Sequence, residues 1–432
     1  MKPAGRIAAQ LWMTAPETRA VIAALTAEGA EARFVGGCVR DAVLGRPVKD
    51  IDIATHDAPE VVMALLERAG IQAIPTGLKH GTVTAVIAKA HFEITTLRRD
   101  VETDGRRARV AFTGDWAEDA ARRDFTMNAL FLSPEGALFD PFGGLEDLRK
   151  GRVRFVGDAR RRIREDVLRL LRFFRFFAHY DRPPPDEAAL AACRELAPEL
   201  PKLSGERVSA EILGLLDAPD PVATFKLMRE EGILAHVLPE ARAFERLYAA
   251  TQLEREEDVP GLTPDALRRL AAVLEVDAPG AEAVAARLRL SNVRKERLVA
   301  MAAPPEAVGP GTDLRAARRV LYRLGPDLFR DLALIEWARM KAEHRDLPAA
   351  VTQGFRKQLE AADKWRPLAL PVRGKDAVAL GVAPGPEVGG LLVQVEAWWI
   401  AGDFRAGRKE CLEKLRSLAA ESKGRRTKKQ RS

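Results

Sequence analysis

Two carboxylates one residue apart, Asp50-Ile51-Asp52, follow closely on the glycine turn and arginine of Gly36-Gly37-Cys38-Val39-Arg40-Asp41. In an extended strand, residues i and i+2 face the same way, so Asp50 and Asp52 project together while Ile51 points the other way. Acids held side by side repel each other unless a cation sits between them. Hard carboxylate pairs suit Mg²⁺, which completes its shell with water and phosphate oxygens. The Gly-Gly turn leaves backbone N–H groups open, and Val39-Arg40-Asp41 reads as the start of a helix; both features suit a phosphate. Either half alone favours the plainer reading, a tight turn or a solvated edge, because short motifs match by chance. Both halves at this spacing, with Leu44-Gly45-Arg46-Pro47 turning the chain between them, outline a nucleotidyl-transfer site.

The rest of the chain has two textures. Within residues 31–156, Arg33-Phe34-Val35, Ile51-Asp52-Ile53, Thr82–Ile87, His91–Thr96 and Ala129–Leu132 carry strand signals, mostly rich in β-branched and aromatic residues. Helical patterns run from Ala58 to Ala69 and from Trp116 to Arg122. From about Arg160 onward nearly everything reads as helix: Ile163–Tyr180, Ala188–Ala197, Glu206–Leu216, Pro221–Glu230, Pro264–Leu274, Asp313–Leu324 and Leu328–His344. Breaks fall at Pro183-Pro184-Pro185, Ala218-Pro219-Asp220-Pro221, Ala303-Pro304-Pro305 and Gly309-Pro310-Gly311.

Two further strings carry chemistry. In Arg122-Arg123-Asp124-Phe125-Thr126-Met127-Asn128-Ala129, a planar guanidinium such as that of Arg123 can clamp two phosphate oxygens; a capped helix start with solvated arginines is the plainer alternative. In Glu165-Asp166-Val167-Leu168-Arg169-Leu170-Leu171-Arg172-Phe173-Phe174-Arg175-Phe176, a continuous helix makes Asp166 and Arg169 neighbours at i, i+3. They then form either an intrahelical ion pair or a base reader. Cytosine and adenine each present an amino donor beside a ring nitrogen acceptor. A carboxylate takes the first and a guanidinium serves the second. Guanine and uracil set a carbonyl against the carboxylate, a mismatch of about 1–3 kcal/mol per contact.

Taken together, Gly36 to Thr55, the Arg122–Ala129 string and the Glu165–Arg175 string resemble the motifs of the class II tRNA nucleotidyltransferase and bacterial poly(A) polymerase family, within the polymerase-beta-like nucleotidyltransferases. The resemblance implies an α+β fold, a mixed-sheet head followed by an all-helical neck, body and tail. It implies an N-terminal helix over 1–30, a catalytic head over 31–156 and a helical neck and body with the base-reading helix over 157–245. A tRNA-binding body and tail over 246–420 and a basic disordered tail over 421–432 complete the chain.

Residue by residue, the resemblance makes Asp50 and Asp52 the catalytic Mg²⁺ ligands. It sets Gly37, Arg40 and Arg123 on phosphate, makes Asp166 and Arg169 the base readers, and gives Arg172 and Arg175 further nucleotide contacts. Glu93 is either a third acid or the partner of a nearby arginine. Asp104-Gly105-Arg106-Arg107 resembles the flexible-loop motif of terminal A addition, with Asp104, Arg106 and Arg107 as its polar members and Ala108 where the family has proline. Gly77-Leu78-Lys79-His80-Gly81-Thr82-Val83 looks like the CCA-adding version of its strand. Ser204–Glu211 resembles the family's body segment; Leu370–Asp376 and Gly381–Gly389 resemble its tail, either tRNA-phosphate sites or plain interhelical turns. The expected reaction is untemplated addition of CCA to tRNA from CTP and ATP. An A-adding enzyme, a poly(A) polymerase and an inactive RNA-binding homologue are the alternatives.

Bulk properties agree. Three scattered cysteines (Cys38, Cys193, Cys411) give neither a disulfide framework nor a zinc site. The chain shows no signal-like N-terminal run and no long uncharged apolar segment, so a cytoplasmic protein is expected. Net charge is +7, and between Arg152 and Arg175 nine arginines meet three acids, which suits a polyanionic partner.

Overall fold

The computed structural model describes residues 1–104, 107–180, 182–256, 259, 262–344 and 346–429, with backbone alone at 100–104, 107–109 and 423–429. The chain divides into two compact units. The first comprises 1–242 with 286–290, and the second 243–285 with 291–432.

The first unit opens with a mixed sheet. Its strands are β1 (Gly5–Arg6), β2 (Ala32–Val35), β3 (Ile51–Thr55), β4 (Gln72–Gly77), β5 (Thr82–Ile87), β6 (Ala90–Thr96), β9 (Phe131–Leu132) and β10 (Ala137–Phe139). They lie in the order β1-β10-β9-β2-β3-β6-β5-β4. A separate two-stranded ribbon pairs β7 (Arg98–Asp104) with β8 (Arg107–Phe112). Among the described strands only β3 and β6 pair in parallel, and their register sets Asp52 beside Glu93. Helix Pro59–Arg68 follows β3 and buries Val62, Leu65 and Leu66. Val35, Ala54, Leu97, Trp116, Phe131 and Val156 share the core. Arg33 is buried with them, its guanidinium 4.2 Å from the Trp116 ring centre and 3.7 Å from that of Phe139. Such stacking offsets the loss of hydration.

The same unit continues in helices. A ladder of rings joins the strand region to helix Leu168–Tyr180: Phe125 lies 4.9 Å from Phe155 and 5.0 Å from Phe176. Helix Gly205–Leu216 packs beside that helix.

The second unit is helical. Helix Leu314–Glu343 is split at Gly325, whose φ of +77° breaks the helical path where two helices are expected. A buried ionic cluster ties it to helix Ala266–Val273, and a separate apolar cluster gathers Val372, Leu391, Val395, Trp399 and Leu415.

Three expectations need correction. Residues 1–30 hold more than a helix, because Gly5–Arg6 adds an edge strand against β10. The expected single helix Ile163–Tyr180 is two, Ala159–Glu165 and Leu168–Tyr180, parted where Asp166 is extended (φ −154°, ψ 105°). The basic stretch expected to be disordered continues helix Arg408–Lys429 as far as Lys429. Lys and Arg are good helix formers, and positive charge is favoured at a helix C-terminus.

Candidate active site

Strand β3 and helix Gly37–Val43 build one wall. The helix begins after Gly36, whose φ of +73° suits glycine alone. A Cβ there would stand 3.4 Å from Arg123 Nη1 and 3.8 Å from Asp52 Oδ2, so this turn lies directly against both groups. Asp52 is half-buried on β3, while Asp50 is exposed just before the strand begins. Burial first, then the Glu93 carboxylate, pushes the Asp52 carboxyl up to about 6; Arg123 opposes the shift and Asp50 adds to it. Three acids thus load one spot with negative charge, and hard oxygen donors under mutual repulsion fit a divalent cation of the Mg²⁺ class. Among the described residues no group of three His, Cys, Asp or Glu side chains forms a metal cluster, so the fit rests on the pair and on substrate oxygens.

The opposite wall is cationic and tightly held. Asp119, buried, takes Arg122 at 2.8 Å and Arg123 at 2.9 Å. Burial opposes its ionisation, but Arg123 and Arg122 outweigh that and hold its carboxyl below the usual range. Burial pushes the Arg122 guanidinium down to about 10 against the pull of Asp119. Among the described residues the buried Nε of Arg123 has no hydrogen-bond partner. Arg40 donates to Asn128 Oδ1 at 2.8 Å and to both Asp41 oxygens at 2.9 Å, under the Tyr180 ring. Asp124 accepts two hydrogen bonds from Arg172, at 2.7 and 2.5 Å, and one from Asn128 at 3.0 Å. Asp124 therefore anchors Arg172 to the strand region rather than merely capping a helix.

Asp166 and Arg169 do not form the intrahelical pair. Asp166 caps helix Leu168–Tyr180: its Oδ1 accepts the Leu168 N–H at 3.2 Å and its carbonyl accepts the Arg169 N–H at 3.0 Å. Its other oxygen accepts from Arg207 of helix Gly205–Leu216 at 2.7 Å. Arg169 donates to Glu165 at 2.7 Å and to the carbonyls of Arg162 and Arg122 at 3.0 and 3.2 Å. The i, i+3 spacing fails as a pairing rule because the helix breaks at its first member.

Gly37, Arg40, Asp52, Arg123, Asp166, Arg169 and Arg172 nonetheless line one cleft of about 460 Å³. Arg175 is not brought there; it binds Glu211 at 2.5 Å and lies over the Phe176 ring. Asp50 stands outside the cleft lining, beside Asp52. Of the flexible-loop residues, Arg106 and the side chains of Asp104 and Arg107 lie outside the described residues. The sequence reading missed Arg207, Arg122, Asp119, Asn128 and the anchoring role of Asp124. Arg122, Asp124 and Asn128 stand in the same string as Arg123, and Arg207 stands in the Ser204–Glu211 segment that resembles the family's body, which were the available signals; Asp119 carried none beyond i, i+4 spacing to Arg123.

Comparison with known proteins shows what the chain as a whole is similar to. Residues 32–154 match the poly A polymerase head domain, and residues 185–245 match the probable RNA and SrmB-binding site of polymerase A. The chain is 35% identical over 393 residues to the mitochondrial CCA tRNA nucleotidyltransferase 1 of Mus musculus, covering 90% of this chain and 87% of that protein. It is 40% identical over 225 residues to the CCA-adding enzyme of Geobacillus stearothermophilus, covering 51% of this chain and 54% of that protein. In structure it resembles the Bacillus stearothermophilus CCA-adding enzyme in complex with CTP. The TM-score is 0.70 at 28% identity, covering 95% of this chain and 97% of the other.

Proposed function

We infer the reaction from kinship: this chain belongs to the family of CCA-adding tRNA nucleotidyltransferases and poly(A) polymerases. It is a nucleotidyltransferase that adds CCA to the 3′ end of tRNA, with CTP, ATP and tRNA as its substrates. The observation that carries the finer assignment is that Asp52, Arg123 and Asp166 share one cleft.

The chemistry follows from those walls. Asp50 and Asp52 would hold Mg²⁺, which when bound supplies Lewis-acid stabilisation of phosphate charge. The 3′ hydroxyl of tRNA attacks the α-phosphorus in line, and pyrophosphate leaves. Gly37, at the open end of its helix, and Arg123, held in the cleft wall by Asp119, face the charge that develops on the phosphates. Arg40 and Arg172 line the cleft but are each bound to neighbouring acids, so they set its positive field and its shape. Asp166 takes the base amino group: a carboxylate offers about four lone-pair sites, and two hydrogen bonds leave room for a third. Arg169 donates to the ring nitrogen.

The catalytic role thus falls to 31–156, base reading to 157–245 and tRNA binding to 246–420. Among the described residues no helix is long and apolar enough to cross a membrane. A cytoplasmic setting is part of the proposal; the murine relative is a mitochondrial protein by name.

The test incubates the full chain with Mg²⁺ and each nucleotide, separately and mixed, on a tRNA transcript ending before CCA and on one ending in CC, and sequences the product ends. One CCA and then a stop is the expected result. Long adenine tails, or adenine added to the CC-ended transcript alone, would overturn it.

A further inference from the structure

Helix Gly205–Leu216 presents one face to helix Leu168–Tyr180 and does so at three points spaced i, i+4 and i+7. Arg207 donates to Asp166 Oδ2 at 2.7 Å. Glu211, buried, holds Arg175 at 2.5 Å, with Arg172 3.7 Å away. Gly214 meets Arg175 so closely that a Cβ would come within 2.7 Å of the Arg175 Cδ. The start of this helix is equally fixed, since a Cβ on Gly205 would stand 2.1 Å from the Arg287 carbonyl oxygen. Arg207 therefore reaches the cleft from a rigid element rather than a loop, and it lines the cleft itself.

Asp166 has no regular helix beneath it to fix its side chain, because its backbone is extended at the break between two helices. Its carboxylate orientation comes from two bonds at opposite oxygens, the Leu168 N–H on one and the Arg207 guanidinium on the other. The N–H ties one oxygen to the helix end. The guanidinium fixes the rotation of the carboxylate plane and keeps its free lone pairs aimed as acceptors.

From this geometry we propose that Arg207 is a positioning residue for nucleobase selection. By clamping Asp166, it makes the acceptor face rigid enough to admit the amino groups of cytosine and adenine and to reject the carbonyls of uracil and guanine. The proposal rests on the assignment of Asp166 as the base reader. Without Arg207 the carboxylate swings about a single backbone bond. Uracil and guanine then meet a group able to turn away, while cytosine and adenine lose a preset partner.

The test measures kcat and KM for CTP and UTP on the transcript lacking CCA, and for ATP and GTP on the CC-ended transcript. The proteins are the wild type, Arg207→Met, Arg207→Lys and Asp166→Ala, and thermal unfolding is followed for each. Loss of a charged hydrogen bond weakens a preference by roughly tenfold. Arg207→Met is expected to raise KM for CTP and ATP and to shrink the C-over-U and A-over-G ratios of kcat/KM by about that factor. Arg207→Lys, which keeps a donor, is expected to recover part of the ratio and serves alone if the methionine variant does not fold. Equal loss of kcat for all four nucleotides with unchanged ratios would overturn the proposal. Unchanged ratios in Asp166→Ala would instead remove the base-reading assignment, a separate failure.

Discussion

At the scale of single residues, the cleft depends on acids that hold its own arginines in place. Asp124 stands in a largely buried position with Arg172 and Asn128 as donors, and its own side chain accepts the Phe125 N–H at 2.8 Å. Burial disfavours its charge, but Arg172 and these hydrogen bonds outweigh it and hold the carboxyl well below the usual range. A carboxyl whose folded value is depressed stabilises the fold above its unfolded value and loses that contribution as pH falls. Asp124→Asn is expected to remove about 1–3 kcal/mol by taking the charged partner from Arg172 and leaving it Glu211 at 3.7 Å, measured by urea unfolding at neutral pH. Between about pH 5 and pH 3 the wild type should lose stability more steeply than the variant, because only the wild type protonates here, starting near the unfolded value of about 4. Equal slopes would show that Asp124 is not the titrating group. Asp52, Gly37 and Arg123 were legible because their chemistry is written in adjacent letters. Arg175, which the resemblance set on the nucleotide, pairs instead with Glu211 from another helix, a contact that no spacing within its own string announces.

At the scale of elements, legibility followed the presence of an apolar face. Strands β2, β3, β5 and β6 announce themselves by β-branched and aromatic residues. Strand β4 carries Pro75 and ends in Gly77, so it reads as loop; it is a strand because it lies at the sheet edge, with a register irregularity between Ile74 and Gly77 that accommodates the proline. The β7–β8 ribbon, rich in Arg, Asp and Glu, stands outside the main sheet and gives no apolar alternation to read. Helix Gly205–Leu216 was visible, but its contacts were not, since Arg207 and Glu211 at i, i+4 look like a pair to each other. Its tight seating gives a test of opposite signs. Gly205→Ala forces a Cβ against the Arg287 carbonyl and is expected to destabilise by about 1–3 kcal/mol. Gly390→Ala, inside helix Pro386–Ala401 with nothing within 4 Å of the added Cβ, is expected to stabilise by about 0.5–1 kcal/mol. Thermal unfolding should move down for the first and up for the second. A rise for Gly205→Ala would mean that helix is not pinned at its start.

At the scale of the whole molecule, each unit has an internal network of its own, and the reach of each can be measured. The first closes on aromatic rings around Phe125, Phe155 and Phe176. The second buries charge. Arg268 bonds Glu254 and Asp331, each at 2.8 Å; Arg269 bonds Glu254 at 2.6 Å; Arg297 bonds Asp331 at 2.7 Å and Asp265 at 2.9 Å. In these contacts acids and arginines alternate, so each buried charge has an opposite charge beside it. Removing one member leaves a buried charge without compensation, which costs about 3–5 kcal/mol, whereas removing a matched pair costs far less. Asp331→Asn is therefore expected to destabilise strongly, and adding Arg297→Gln is expected to recover at least about 1 kcal/mol of the loss. Because stability is local, amide hydrogen exchange should accelerate across 243–285 and 291–344 in Asp331→Asn while the strands β2, β3 and β6 keep their protection. Equal acceleration in those strands would mean that the two units unfold as one. A double variant no more stable than Asp331→Asn would mean that Arg297 tolerates the loss of its partner, for which water reaching its partly exposed guanidinium is the physical route.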